Sequence, residues 1–256
     1  MSESMIVGVD IGGTFTDFAM LDPATGRLHI GKQLTTPDDP SRALLEGMDA
    51  LCKQAKIQYP DIDRISHATT LVTNAIIERK GSKTGFLVTD GFRDILLMGR
   101  ESRYDHYDFR FDRPEPLVAR SATREIDERV GWDASVIRPL NVDSVRAAVR
   151  EIAGQGIRSI AICLLHSYRN PGHEREIQKI MESEFPDIDC TISSDVAPEI
   201  REYERTSTAV VNAYILPAMR GYLSRLQQRL AEIGVTAPVQ VMASNGGMIG
   251  LDAARE

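Results

Sequence analysis

The strongest chemical signal in the chain is the string Asp10-Ile11-Gly12-Gly13-Thr14-Phe15-Thr16-Asp17. Paired glycines can take positive φ and let another group approach the backbone closely. Successive N–H groups in such a bend form a concave anion site, and the hydroxyls of Thr14 and Thr16 add donors. The carboxylates of Asp10 and Asp17 would repel a bare phosphate, so the anion this bend suits arrives with a divalent cation. Mg²⁺ takes one or two carboxylates, waters and phosphate oxygens, and Asp10 is the residue expected to hold it, through water. Asp17 has a second reading, as a hairpin anchor that accepts backbone N–H groups. A glycine pair alone would also serve an ordinary hairpin turn; the acids and hydroxyls around it favour a loop for a Mg²⁺–nucleotide phosphate. The string is neither G-x-G-x-x-G nor G-x-x-x-x-G-K-[ST], so Rossmann and P-loop mechanisms do not apply.

Other polar residues stand at element ends. Thr69, Thr70, Thr73 and Asn74 follow an apolar run and open a helical pattern, which suits contact with phosphate or substrate and equally suits helix capping. His67, at the end of the same run, reads as a satisfied structural histidine. Glu78 and Arg79 read either as functional or as a solvated helix end. His166 and His173 match no metal-ligand spacing. Tyr104, Asp105, His106, Tyr107 and Asp108 form a polar, aromatic cluster that either lines a pocket or faces solvent. Arg201, Glu202, Tyr203, Glu204 and Arg205 have the spacing of an ion-paired helix face. No G-x-S-x-G elbow is present, and no catalytic nucleophile or base is legible.

The elements that must position these groups alternate between strand and helix. Ile6–Asp10 and Asp17–Asp22 predict a hairpin, and Leu28–Gln33 a third strand. Pro40 to Lys56 predicts a helix capped by Ser41, with Ala43, Leu44, Gly47, Met48 and Leu51 on its buried face. Ile62–His67 is a strand, Thr69–Arg79 a helix ending at Gly81, and Thr84–Val88 a strand. Residues 91 to 140 are less regular, with a strand at Thr123–Val130. Asn141–Ala153 and Pro171–Glu184 are helices, and Ser159–Leu165 and Cys190–Ser193 strands. Glu199–Leu216 and Ala218–Ile233 read as two helices separated by Pro217, and Val239–Met242 as a last strand running into Asn245-Gly246-Gly247.

Composition narrows the function classes. With 256 residues, 42% hydrophobic and 26% charged, the chain has globular composition. A net charge of −7 opposes general nucleic-acid binding, and no apolar run reaches the ~20 residues of a membrane span. The amino terminus lacks the pattern of a secretory signal. Cys52, Cys163 and Cys190 read as reduced, mostly buried thiols of a cytoplasmic protein.

The Asp10–Asp17 string resembles the first phosphate motif of the actin- and hexokinase-type superfamily of ATPases. Within it the chain is most similar to the hydantoinase/5-oxoprolinase family, in particular to N-methylhydantoinase A-like subunits. The block from His67 to Gly81 resembles H-x-T-T-x-x-x-N-A-x-x-E-R-x-G, and Leu87 to Asp94 resembles L-V-T-x-G-F-R-D. Cys163 to Pro171, Glu199 to Thr208 and Ser244-Asn245-Gly246-Gly247 match three further blocks, in order along nearly the whole chain.

The resemblance implies an α/β fold. Its first part would be an actin-like (ribonuclease H-like) ATPase lobe with an amino-terminal phosphate hairpin, followed by the start of a second region. It implies a division into residues 1–190 and 191–256, and an inter-lobe role for the segment around Arg201. It also implies ATP and Mg²⁺ as cofactors, a cyclic amide as substrate, a second subunit as partner, and room for a homo-oligomer. The implied activity is phosphorylation of the amide oxygen followed by ring opening with water. A fragment of an acetone carboxylase-type subunit is the near alternative, and a non-catalytic interaction module the distant one. The second phosphate hairpin is expected beyond residue 256, in a polypeptide more than twice as long. The chain therefore reads as truncated, with half a cleft that binds ATP weakly.

Overall fold

The computed structural model describes residues 4–36, 38–100, 107, 110 and 114–255. Of the Tyr104–Asp108 cluster only Tyr107 falls within them, and it is exposed; the other four lie outside the described residues. In chain order the strands and helices are β1 (Met5–Ile11), β2 (Phe15–Leu21), β3 (Leu28–Leu34), α1 (Pro40–Ala55), β4 (Ile62–Thr69), α2 (Leu71–Ile77), β5 (Thr84–Thr89), α3 (Ile95–Met98), β6 (Thr123–Ile126), β7 (Arg129–Val130), β8 (Val136–Arg138), α4 (Val142–Gly154), β9 (Ser159–Cys163), α5 (Gly172–Glu184), β10 (Asp189–Ile192), α6 (Ser193–Val196), α7 (Glu202–Glu232), β11 (Val239–Met242) and β12 (Met248–Gly250). They form two compact units, residues 1–80 with 218–256, and residues 81–217. A linear boundary at residue 190 falls inside the second unit, because β10 pairs with β9 there.

The first unit is built on a six-stranded sheet in the order β12-β11-β4-β1-β2-β3. Strands β1, β4 and β11 are parallel, and the hairpin partners β2 and β12 run against them. Alternation along β1 turns Val7, Val9 and Ile11 inward, where they join Leu44, Met48 and Leu51 of α1 in one core. Helix α1 can lie close on the sheet because Gly47 faces Phe18: a Cβ there would stand 2.1 Å from the ring. Its cap is Asp39 rather than Ser41. Asp39 accepts from Ser41 N at 3.2 Å and from Ser41 Oγ at 2.6 Å, and its other oxygen pairs with Arg229 at 2.6 Å.

Helix α2 is shorter than its sequence pattern. Thr69 remains in β4 opposite Ile11, and the helix stops at Ile77. Arg79 takes the positive φ that Gly81 was expected to supply.

The second unit holds a four-stranded parallel sheet in the order β10-β9-β5-β6. Strands β5 and β9 are buried throughout, as central parallel strands are. The sequence pattern at Thr123–Val130 breaks into β6 and β7, because Ile126 and Asp127 give their carbonyls to Asp90 N (3.1 Å) and Asn141 N (2.9 Å). Gly81 is needed here for space, since a Cβ would stand 2.1 Å from the Tyr214 ring. Helix α7 runs unbroken through Pro217. Proline withdraws the donor for the carbonyl four residues earlier, and Ser159 Oγ replaces it on Ala213 O at 2.7 Å.

Candidate functional site

The bend between β1 and β2 has one closed amide and two open ones. Gly12 N donates to Phe15 O at 2.9 Å. Gly13 N and Thr14 N donate to nothing among the described residues, and both residues are exposed. Neither glycine has a positive φ. Their requirement is for space: a Cβ on Gly12 would stand 3.0 Å from Phe15 O, and one on Gly13 would stand 3.1 Å from Asn74 Nδ2. The bend is held from outside by Thr35, whose N–H donates to Thr14 O at 2.9 Å and whose hydroxyl donates to Gly12 O at 2.9 Å.

Thr16 has a different place from the one its motif suggests. It is fully buried, and its hydroxyl shares a 3.0 Å hydrogen bond with Thr35 Oγ1. It braces the residue that braces the bend and does not stand among the exposed donors. Asp10 points to the opposite face of β1, exposed and without a hydrogen bond or ion pair among the described residues. Asp17 lies across from it in the β1–β2 register and forms an ion pair with Lys32 at 2.7 Å, in place of an anchor on backbone N–H groups.

The end of β4 lies against this bend. Thr70 N donates to Ile11 O at 3.0 Å, and the Thr69 and Thr70 hydroxyls reach the same oxygen at 3.4 Å. Thr69 Oγ1 also accepts from Leu71 N, the first amide of α2, at 3.1 Å, while Thr70 at the N-cap makes no side-chain cap bond. Asn74 Nδ2 donates to Thr70 Oγ1 at 3.3 Å, which positions the amide beside Gly13. Thr73 is exposed on the next turn. Beneath, His67 is buried with Nε2 2.8 Å from Tyr222 Oη. Burial holds its imidazole down to about 4, so it is neutral at physiological pH, and burial raises the Tyr222 phenol.

One group of residues at this sheet end was not on the sequence-derived list. Val241 of β11 pairs with His67, so the Ser244-Asn245-Gly246-Gly247 turn leaves the sheet at the same end as the Gly12–Gly13 bend. Gly246 takes φ +82°, and Ala243 N donates to Gly247 O at 2.8 Å to close a hairpin with β12. A glycine-rich block directly after a strand was the available signal.

The remaining candidates serve elsewhere. Glu78 pairs with Lys80 at 2.6 Å on an exposed helix end. His173 Nδ1 lies 2.7 Å from the buried carboxylate of Glu128, and His166 sits in a turn at φ +57°. The segment from Arg201 is not a plain ion-paired face. Arg205 is buried, donating to Leu164 O and Glu199 O at 2.9 Å, while Glu204 pairs with Arg100 at 2.8 Å.

The bend thus presents two N–H groups without an acceptor among the described residues, an exposed threonine and, beside Gly13, the Asn74 side-chain amide. The caprolactamase subunit alpha of Pseudomonas jessenii is 36% identical over 248 residues, covering 94% of this chain and 36% of that protein. The solved ATP-dependent caprolactamase of Pseudomonas jessenii superposes with a TM-score of 0.87 at 34% identity, over 95% of this chain and 36% of that one. A nucleotide-free acetone carboxylase structure, solved for the mechanism of ATP-dependent acetone carboxylation, superposes at 0.86 with 29% identity, over 98% and 37%. The chain thus spans little more than a third of the length of these relatives, and its fold is the α/β architecture of an actin-like ATPase lobe. The model of the hydantoinase/oxoprolinase N-terminal region matches residues 6–185, and that of hydantoinase/oxoprolinase matches residues 205–256. Family matches along most of the sequence lead to one conclusion: the chain belongs to the hydantoinase/oxoprolinase family.

Proposed function

We propose that this chain forms the nucleotide-phosphate wall of an ATP-dependent enzyme that opens a cyclic amide, working with a second subunit. The observation that carries the reading is the pair of open amides at Gly13 and Thr14 beside the unpartnered Asp10. Gly13 N and Thr14 N orient phosphate oxygens. The Thr14 hydroxyl and the Asn74 amide add neutral donors, and Asp10 holds the water shell of Mg²⁺. Thr69 and Thr70 hold the bend against β4, and Thr16 with Thr35 keeps it from collapsing. When bound, Mg²⁺–ATP supplies an activated phosphoryl group that turns an amide oxygen into a leaving group. The share of these residues is positioning and charge stabilisation. The caprolactamase relative, named as an alpha subunit and as ATP-dependent, supports both the ring-amide substrate class and the partner subunit. Likeness to the acetone carboxylase structure supports a second reading, a carboxylase subunit that activates a ketone with the same wall.

Titration of Mg²⁺–ATP tests the wall. The 256-residue chain binds weakly, since one wall leaves most of the ligand wet. Gly13→Val places a side chain against Asn74 and lowers affinity at least tenfold, and Asp10→Ala removes the Mg²⁺ dependence of what remains. Equal affinity in all three chains would overturn the reading. Turnover of caprolactam against acetone, in a full-length relative carrying the same substitutions, separates the two substrate classes.

A further inference from the structure

A cleft of about 510 Å³ opens within the second unit, and the phosphate bend makes no use of it. Its size lies in the range of small-molecule sites, roughly 300–1,000 Å³. Two sequence blocks supply its walls: Phe92 and Arg93 after β5, and Glu202 and Tyr203 at the head of α7.

The charges in its wall are unequal in what they need. Arg120 and Asp94 satisfy one another through two contacts, at 2.6 and 3.1 Å. Glu125 accepts from Gly91 N at 2.9 Å. Arg93 takes part in no ion pair among the described residues. One of its Nη atoms donates to Arg120 O at 3.1 Å, and its Nε, shielded from solvent, meets no acceptor. A half-exposed guanidinium in the cleft wall that pairs with no carboxylate among the described residues suits a carboxylate ligand, because its planar fork matches one. Glu202 and Glu125 would oppose a ligand that is only an anion, and Arg93 would oppose one that is only a cation. Phe92 and Tyr203 leave apolar surface in the same wall.

We propose that this cleft binds an amino-acid zwitterion, with the carboxylate on Arg93, the ammonium toward Glu202 and Glu125, and a short aliphatic body against Phe92 and Tyr203. The inference stands on the cleft alone. Joined to the proposed function it names the ligand as the opened product. Water adds to the phosphorylated amide carbon and the ring C–N bond breaks, nitrogen taking a proton; a second water releases the phosphoryl group as inorganic phosphate, which leaves an amine and a carboxylate on one chain.

Calorimetric titration of the 256-residue chain, without nucleotide, tests it with 6-aminohexanoate, hexanoate and hexylamine. The zwitterion binds at least tenfold tighter than either singly charged analogue. Arg93→Gln and Glu202→Gln each weaken it about tenfold, and Arg93→Lys recovers part of the loss because charge returns without the planar fork. Hexanoate binding as tightly as 6-aminohexanoate overturns the proposal, as does absence of binding at millimolar ligand or an unchanged affinity in Arg93→Gln. Should Arg93→Gln fail to fold by circular dichroism, the ligand series on the unaltered chain still decides. Because no nucleotide is present, failure of the phosphate wall leaves this result untouched.

Discussion

Both units end parallel strands in turns rich in backbone N–H groups, and they treat those groups in opposite ways. In the second unit the groups are filled from within. Glu174, fully buried, accepts from Leu164 N at 2.8 Å and from Ser194 N at 2.9 Å, and also from Ser193 Oγ at 2.7 Å. Thr89 Oγ1 accepts from Leu165 N at 2.8 Å and donates to the buried Glu128, which holds His173 on its other oxygen. Arg205 closes the Leu164 carbonyl. In the first unit the equivalent places stay open at Gly13 and Thr14. A buried carboxylate does at Leu164 and Ser194 what a bound anion would do at the bend. Open amides are therefore no necessary consequence of parallel strands; in the first unit they stand without an acceptor among the described residues.

The largest expected effect comes from removing this internal acceptor. Glu174→Ala leaves the buried Leu164 amide and the part-buried Ser194 amide without an acceptor, and leaves the Ser193 hydroxyl only its Ser167 partner; unfolding by urea should show a loss of about 4 kcal/mol. A loss below about 1 kcal/mol would mean the two strand ends are not as different as their hydrogen bonds suggest.

The next effect concerns the buried base of the first unit. His67 is held down to about 4 from an ordinary value of 6.5, so below pH 6.5 the unfolded chain takes up a proton that the folded chain refuses. Stability is therefore full above 6.5 and falls as pH drops from 6.5 toward 4, on the order of 3 kcal/mol across that window. A His67→Gln chain does not titrate there, and its thermal midpoint should fall less over the same interval. Identical pH profiles would remove the imidazole as the cause.

Thr35→Val sharpens the contrast at smaller scale. It deletes the hydroxyl that holds Gly12 O and Thr16 Oγ1 but keeps the backbone bond to Thr14 O. The expected cost is about 1 kcal/mol in stability, with several-fold weaker Mg²⁺–ATP binding, because the bend loses its brace. Smallest is Lys32→Ala. The Asp17–Lys32 pair is more than half exposed on both sides, at 53% and 54%, and its loss should shift urea unfolding by less than about 0.5 kcal/mol. A larger shift would show that the pair has a role in shaping the bend.

Legibility in the sequence followed locality. The β1–β2 hairpin, β3, the buried face of α1 and the runs of β5 and β9 were readable, because alternation and apolar runs report on neighbours close in the chain. The end of α2 was misread, because Thr69 stays in β4 through pairing with Ile11, a partner far away in sequence. Pro217 read as a break, since nothing nearby announces that Ser159 will take the carbonyl it orphans. Arg205 read as a surface charge, because its partners are carbonyls and carbonyls have no sequence signature. Gly12, Gly13 and Thr14 form the bend that residue types predicted, with Asp10 near the end of β1 before it. Thr16 was misplaced by strand parity: it sits one position from the open face and so turns inward.

Residue type and spacing by themselves determined that this chain has an amino-terminal hairpin and an α/β order of elements, and its motif blocks carried the family resemblance. Those properties are carried by local backbone preference and by strings of adjacent residues. Only the tertiary structure decided which amides stay open, which carboxylates are spent inside the fold, and that a side chain at Gly13 would crowd Asn74 although its φ is not positive. The reason is physical: whether a polar group is free depends on every partner that packing brings within about 3 Å, and most of those partners come from distant parts of the chain.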